Sequence, residues 1–137
     1  MNSTHLPLVE IQKIIFQKID FVEGVYLFGS FSTNNATPQS DLDLAVLASK
    51  PISPIQSFEI AQEIVQHVRR EVDLIDLRNA NTVMQFQIVY KGIRFVTQSF
   101  AVCEAFEDFV FKSYARLNEE RMDILNDISR RGKVSND

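Results

Sequence analysis

Apolar residues at Leu8, Ile11, Ile15, Ile19 and Val22, with Ile14 beside them, recur every three or four positions and predict an amphipathic helix from about 7 to 22. Pro7 suits its first turn, and Gly24 is expected to end it. Val25-Tyr26-Leu27-Phe28 then reads as a short buried strand. A polar stretch from Ser32 to Ser40, containing Pro38, predicts at most a turn or two of helix before a loop, and Asp41 to Leu47 reads as a second strand. Pro51 and Pro54 lead into a helix from about 54 to 69, with Phe58, Ala61, Ile64, Val65 and Val68 on one face. Val72 to Leu77 is the third strand. Val83, Phe86 and Val89 give Ala80 to Tyr90 a helical spacing, and Gly92 separates it from a fourth strand, Ile93 to Val96.

A long helix is predicted from about 101 to 131, with Phe106, Phe109, Val110, Tyr114, Leu117, Met122, Leu125 and Ile128 facing inward. Arg130, Arg131 and Gly132 suit its C-terminus, and Lys133 to Asp137 is expected to fray. Alternation of helices and strands without a linker or an internal repeat predicts one α/β or α+β domain across 1–137.

Composition narrows the class without naming a chemistry. The chain has 137 residues, 45% of them apolar and 23% charged, enough for a packed core and too ordinary for disorder. Its formal charge of −4 argues against dedicated nucleic-acid binding, which needs a basic face. No apolar run is long enough for a membrane helix and the start lacks a secretory pattern, so a cytoplasmic location is expected. Cys103 is the single cysteine, which excludes an internal disulfide and predicts a small buried hydrophobe.

Chemistry concentrates in Gly29-Ser30, ten intervening residues, and Asp41-Leu42-Asp43. Residues two apart on a strand share a face, so Asp41 and Asp43 project together while Leu42 and Leu44 enter the core. Paired carboxylates repel, and they call for a raised pKa or a hard cation such as Mg2+ between them. A Gly-Ser pair where a strand turns into a helix offers backbone N–H groups and a hydroxyl to a phosphate. Alone, each half has a plain explanation, a solvated strand or a capped turn. Four specified residues at fixed offsets, each at a frequency of roughly 5–7%, arise by chance in about one chain in several hundred of this length.

The pattern Gly29-Ser30-x10-Asp41-x-Asp43 resembles the signature of the DNA polymerase β-like nucleotidyltransferase superfamily, and the chain is similar to its minimal nucleotidyltransferases, the MNT partners of HEPN proteins. Val72 to Leu77, Tyr90-Lys91-Gly92-Ile93 and the closing helix with Tyr114, Arg121 and Asp127 extend that likeness less specifically. The resemblance implies a small mixed β-sheet flanked by helices and a third carboxylate on a neighbouring strand. Asp73 and Asp76 are the candidates, and being three apart they lie on opposite faces, so only one joins the pair. The family pattern favours Asp73, leaving Asp76 to a salt bridge, with Arg78 the nearest partner.

By the same resemblance, Asp41, Asp43 and Asp73 hold two Mg2+ ions, Gly29 and Ser30 grip the phosphates of a nucleoside triphosphate, and Asp73 takes the proton of the attacking hydroxyl. The implied function is that of an antitoxin that transfers AMP from ATP to a tyrosine of a cognate HEPN ribonuclease toxin, in a hetero-oligomer with it. Neutralisation by binding alone, and transfer to a small molecule, are the alternatives. The remaining polar residues are weaker candidates. His5 and His67 lack ligand spacing, Arg69 and Arg70 close a helix, and Lys91 and Arg94 are candidates to touch nucleotide or partner. Eleven phenylalanines, four of them at Phe100, Phe106, Phe109 and Phe111, exceed what one helix face buries, and the surplus suggests a patch for a partner helix.

Overall fold

The structure, a computed structural model, describes residues 6–135, with side chains to 130. Its order is α1 (Leu8–Lys18), β1 (Val22–Phe28), a 3-10 turn at Gly29–Ser32, β2 (Leu42–Ala48), α2 (Pro54–Val68), β3 (Val72–Asp76), a 3-10 turn at Leu77–Asn79, α3 (Thr82–Lys91), β4 (Ile93–Thr97) and α4 (Phe100–Ser135). The strands form one sheet in the order β3-β2-β1-β4. β1 runs antiparallel to both β2 and β4, while β2 and β3 are parallel, with α2 as their crossover. This is the mixed sheet and the α/β class that the sequence implied.

Central strands are buried on both faces, which is why β1 and β2 read as nearly unbroken apolar runs. Alternation divides their side chains between two cores. Val25, Leu27, Leu42, Leu44 and Val46 meet α1 and α2 through Ile11, Ile15, Ile60 and Ile64. Tyr26, Ala45 and Leu47 face the other way, onto Leu77, Ile88, Cys103, Phe106 and Val110 of the α3 and α4 side. Both long crossings carry caps of the expected kind: the Ser53 hydroxyl accepts from the Gln56 N–H at 3.1 Å, and the Asn81 carbonyl oxygen from the Met84 N–H at 2.8 Å.

Several expectations need correction. α1 stops at Lys18, a turn early, because Ile19 is already extended at φ −128°, ψ 119°. Ile19 and Val22 are buried all the same, from a turn and from β1, so the apolar spacing described a shared core rather than one continuous helix. Gly24 lies inside β1 at a shift in register. A Cβ there would stand 2.7 Å from the Cys103 Sγ and 3.2 Å from the Val96 carbonyl oxygen, so β4 and α4 press against the strand where only glycine fits. Phe58 points outward, 64% exposed, and Ile60 takes its place on the buried face of α2.

α4 is the largest departure. Its first third is pinned by Cys103, Phe106 and Val110, and by a part-buried polar group in which the Tyr26 hydroxyl donates to the Glu107 carboxylate at 2.6 Å and Arg94 donates to Glu107 and Glu104. Phe109, Met122, Leu125 and Ile128, expected inward, are all more than half exposed, and every residue from 118 to 130 is exposed. The helix runs past Gly132 to Ser135, so the glycine does not cap it. His5 and the last two residues of the tail lie outside the described residues.

Candidate active site

The sheet register assembles the predicted residues. Phe28, the last residue of β1, pairs with Asp43, and Asp43 pairs with Asp73 on β3. The turn Gly29-Ser30 therefore leaves β1 beside two carboxylates that stand next to each other across a parallel ladder. Leu42 and Leu44 are fully buried on the α1 and α2 side, which fixes Asp43 on the opposite face. Asp41, just before β2, joins the same end of the sheet.

Gly29 adopts φ +72°, a left-handed conformation that favours glycine, and a Cβ on it would run into the Asp43 carboxylate. Glycine thus lets the turn close onto the acidic residue. The turn is tightened from within: the Ser32 hydroxyl donates to the Gly29 carbonyl at 2.9 Å, and the N–H groups of Thr33 and Asn35 donate to the Ser30 carbonyl at 3.3 and 3.1 Å. The Ser30 hydroxyl makes no hydrogen bond among the described residues, so it remains available to a ligand.

Asp43 has its carboxyl pushed above the ordinary range, first by burial and then by the charges of Asp73 and Asp41. The three carboxylates therefore share a field, and none of them accepts a hydrogen bond among the described residues. Uncompensated negative charge on hard oxygens is the donor chemistry that Mg2+ selects. Among the described residues the side chains are not already gathered around one metal position. Asp41 and Asp73 are exposed at the sheet end.

Asp76 is excluded from this group by its register. It pairs with Val46, whose side chain enters the α1 and α2 core, and its carboxylate accepts the Ile52 N–H at 3.0 Å and the Asn79 amide at 2.8 Å. The anticipated bridge to Arg78 is absent. Arg78 instead donates to Glu23 at 2.6 Å and to the Ala48 carbonyl at 2.9 Å, tying the strand ends together.

Other basic candidates are mostly engaged elsewhere. Arg69 is the left-handed C-cap of α2, and Arg70 donates to the Thr37 and Ser40 carbonyls and lies over the Phe31 ring, holding the loop that delivers Asp41. Arg94 is bound by Glu104 and Glu107, and His67 is exposed on α2. Lys91 ends α3 and, with Gln87, lines an open cleft of about 280 Å³ beside Phe28, Gly29, Ser32 and Thr33. Gln87 went unnoticed in the sequence because only the fold brings α3 alongside the 3-10 turn.

Comparison with known proteins places the chain in a family. Residues 10–101 match the family model for polymerase β nucleotidyltransferases. The protein adenylyltransferase MntA of Shewanella oneidensis is 34% identical over 122 residues, covering 87% of this chain and 85% of the relative. A crystal structure of a toxin–antitoxin pair with AMP-PNP superposes with a TM-score of 0.81 at 33% identity, over 90% of this chain and 98% of the other. The structure of a tri-AMPylated Shewanella oneidensis HEPN toxin in complex with its MNT antitoxin gives 0.73 at 32% identity, over 88% and 93%.

Proposed function

Because this chain belongs to the polymerase β nucleotidyltransferase family, among the MNT antitoxins of HEPN/MNT modules, we propose that it silences a cognate HEPN toxin by transferring AMP from ATP to a tyrosine hydroxyl of that toxin. The observation that carries the reading is the ladder Phe28, Asp43, Asp73, which sets the Gly29 turn directly against two crowded carboxylates. Its acceptor is a protein, as in the AMPylated toxin of the Shewanella complex.

Asp41, Asp43 and Asp73 hold two Mg2+ ions in this reading. When bound, the pair neutralises the triphosphate, acidifies the attacking hydroxyl and stabilises departing pyrophosphate. Ser30 and the backbone N–H groups after Gly29 orient the phosphates so that the tyrosine oxygen approaches the α-phosphorus in line. The new O–P bond forms as the bond to the β-phosphate breaks. Asp73, solvent-facing and free of hydrogen bonds among the described residues, receives the proton that the tyrosine releases.

Neutralisation by binding alone is the second reading, and the uncovered apolar side of α4 favours it: Met122, Ile124, Leu125 and Ile128 are each 55–60% exposed, on a helix that no other described element covers there. Intact-mass analysis of the toxin after incubation with this chain, Mg2+ and each nucleoside triphosphate separates the two. Mass increments of AMP with ATP, lost in an Asp41→Asn, Asp43→Asn double variant that also fails to neutralise, support transfer. An unmodified toxin that both proteins neutralise equally supports binding.

A further inference from the structure

Arg70 lies between α2 and β3, and its guanidinium reaches the loop that joins β1 to β2. One of its nitrogens donates to two carbonyls, Thr37 at 3.1 Å and Ser40 at 2.9 Å, and its central carbon stands 4.9 Å from the centroid of the Phe31 ring. Phe31 follows Ser30 in the chain, and Ser40 precedes Asp41. One side chain therefore touches both ends of the ten residues that separate the Gly29-Ser30 turn from the first carboxylate. We propose that Arg70 is a positioning residue for the reaction, a clamp that holds the Gly29-Ser30 turn and Asp41 at a fixed separation. The inference rests on the transferase reading and adds to it the residue that keeps the two halves of the site in place.

Three observations carry it. The first concerns the peptide planes on either side of Asp41. The Ser40 carbonyl belongs to the peptide bond that enters Asp41 and accepts from Arg70, while the Leu42 N–H belongs to the bond that leaves it and donates to the Glu71 carbonyl at 2.8 Å. Two consecutive residues at the entry to β3 thus fix Asp41 from both sides. The second is the loop itself. Residues 33–40 include no aromatic or branched aliphatic side chain, and their other hydrogen bonds among the described residues stay within 29–40, as from the Thr37 N–H to the Ser40 hydroxyl at 2.8 Å. Such bonds shape the loop but do not orient it on the sheet; the Arg70 bonds do. The third is the turn side, where Phe31 packs against the α1 and α2 core and gives the guanidinium a fixed floor. A planar cation stacks through its face and donates in its plane, so it joins both ends at once, which a lysine ammonium does not. A cation after a helix also suits the helix dipole, but that benefit needs no reach into another loop.

Transfer of AMP to the toxin at saturating Mg2+ and ATP, measured per folded molecule of the full chain, tests the assignment with Arg70→Ala and Arg70→Lys. The expected result for Arg70→Ala is a kcat about 10²-fold lower, with the KM for the toxin within about threefold of the parent's, because the clamp places groups rather than binding the acceptor. Millimolar guanidinium is expected to restore part of that rate, and sodium chloride at the same ionic strength none of it. Amide exchange supplies a readout apart from activity: the Thr33, Asn35 and Ser40 N–H groups should exchange faster in Arg70→Ala, while those of the β1 and β2 core keep their protection. Arg70→Lys, which keeps the charge and most of the stem, is expected to lose about tenfold in kcat. A parent-like rate in Arg70→Lys overturns the proposal even where Arg70→Ala is too unstable to measure, and so does an Arg70→Ala whose loss vanishes once the folded fraction is counted. A parent chain that transfers no nucleotide overturns the transferase reading and the positioning role with it, whereas an active parent beside an equally active Arg70→Ala overturns the positioning role alone.

Discussion

Strand β3 carries two aspartates three residues apart, and its two ends treat them differently. Asp76, at the C-terminal end, faces α2 and accepts two hydrogen bonds that anchor the chain entering that helix. Around it the neighbouring charges are matched, with Arg78 on Glu23 and the Ala48 carbonyl. Asp73, at the N-terminal end, faces the α3 and α4 side, stands opposite Asp43, and accepts nothing among the described residues. At one end Asp76 engages one carboxylate oxygen from within and buries the other without a partner among the described residues; the other end crowds three carboxylates, none of which accepts a hydrogen bond among the described residues. A fold tolerates such local conflict where a ligand resolves it, and in the proposed function the contrast separates the frame at one end from the chemistry at the other.

Exchanging the two aspartates is the strongest way to break this contrast. Asp73→Asn is expected to lower AMP transfer to the toxin on the order of 10³-fold, with urea stability within about 0.5 kcal/mol of the parent, because under the proposed function it removes a metal ligand and a base but no hydrogen bond. Asp76→Ala is expected to do the reverse. It leaves the part-buried Ile52 N–H without its acceptor and costs about 1–3 kcal/mol of stability, while transfer per folded molecule stays within about threefold. Single-turnover rates together with unfolding midpoints check both. A dead Asp76→Ala that remains folded, beside an active Asp73→Asn, would reverse the assignment.

Two glycines sharpen the same contrast at a smaller scale. Gly29→Ala forces a side chain onto φ +72° and into the Asp43 carboxylate, so transfer is expected to fall about 10²-fold as the turn and Asp43 move apart. Gly24→Ala pushes against Cys103 and the Val96 carbonyl, well away from the chemistry. Overpacking of this kind costs typically about 1–3 kcal/mol, and it should appear in thermal unfolding with little change in transfer by the folded fraction.

What was readable in the sequence follows the same division. The strand pair and its D-x-D were legible because alternation alone decides which side chains share a face, and Leu42 and Leu44 at 0% exposure obey it. The turn was legible because Gly29-Ser30 stands at a fixed spacing from Asp41 and Asp43; by itself the pair reads as a capped turn. Features set by contacts distant in the chain were not. Nothing near Gly24 announces that Cys103 will press on it, and Asp76 gave no sign that Ile52, 24 residues earlier, would be its donor. The end of α1 was obscured for a related reason: Ile15, Ile19 and Val22 enter one core whether the backbone is helical or extended, and apolar spacing records only the burial. On α4 the spacing was read correctly as an apolar side, but burial by this chain does not follow from it.

The pH dependence of stability is the smallest effect and the most direct reading of the crowded end. In the unfolded chain Asp43 titrates in the ordinary carboxylate range, while in the fold burial, then Asp73, then Asp41 hold its carboxyl above that range. The folded state therefore keeps the proton to higher pH than the unfolded state does. Between the two values the folded chain binds more protons, so unfolding free energy falls as pH rises through that window, and the deficit is complete above it. Asp43→Asn removes the titrating group, and relative to the parent it should gain stability as the pH rises above the ordinary carboxylate range, a gain that persists at higher pH. Asp73→Asn should recover only part of that gain, since burial is the larger cause and stays in place. Mg2+ should close the gap from the other side, raising the parent's unfolding midpoint at neutral pH and leaving Asp43→Asn nearly unmoved, because a cation offsets repulsion only where the carboxylates are present to repel. Parallel pH profiles for parent and Asp43→Asn, with no response of the parent to Mg2+, would mean that the carboxylates at this end of the sheet do not share a field, and the contrast with the Asp76 end would lose its electrostatic basis.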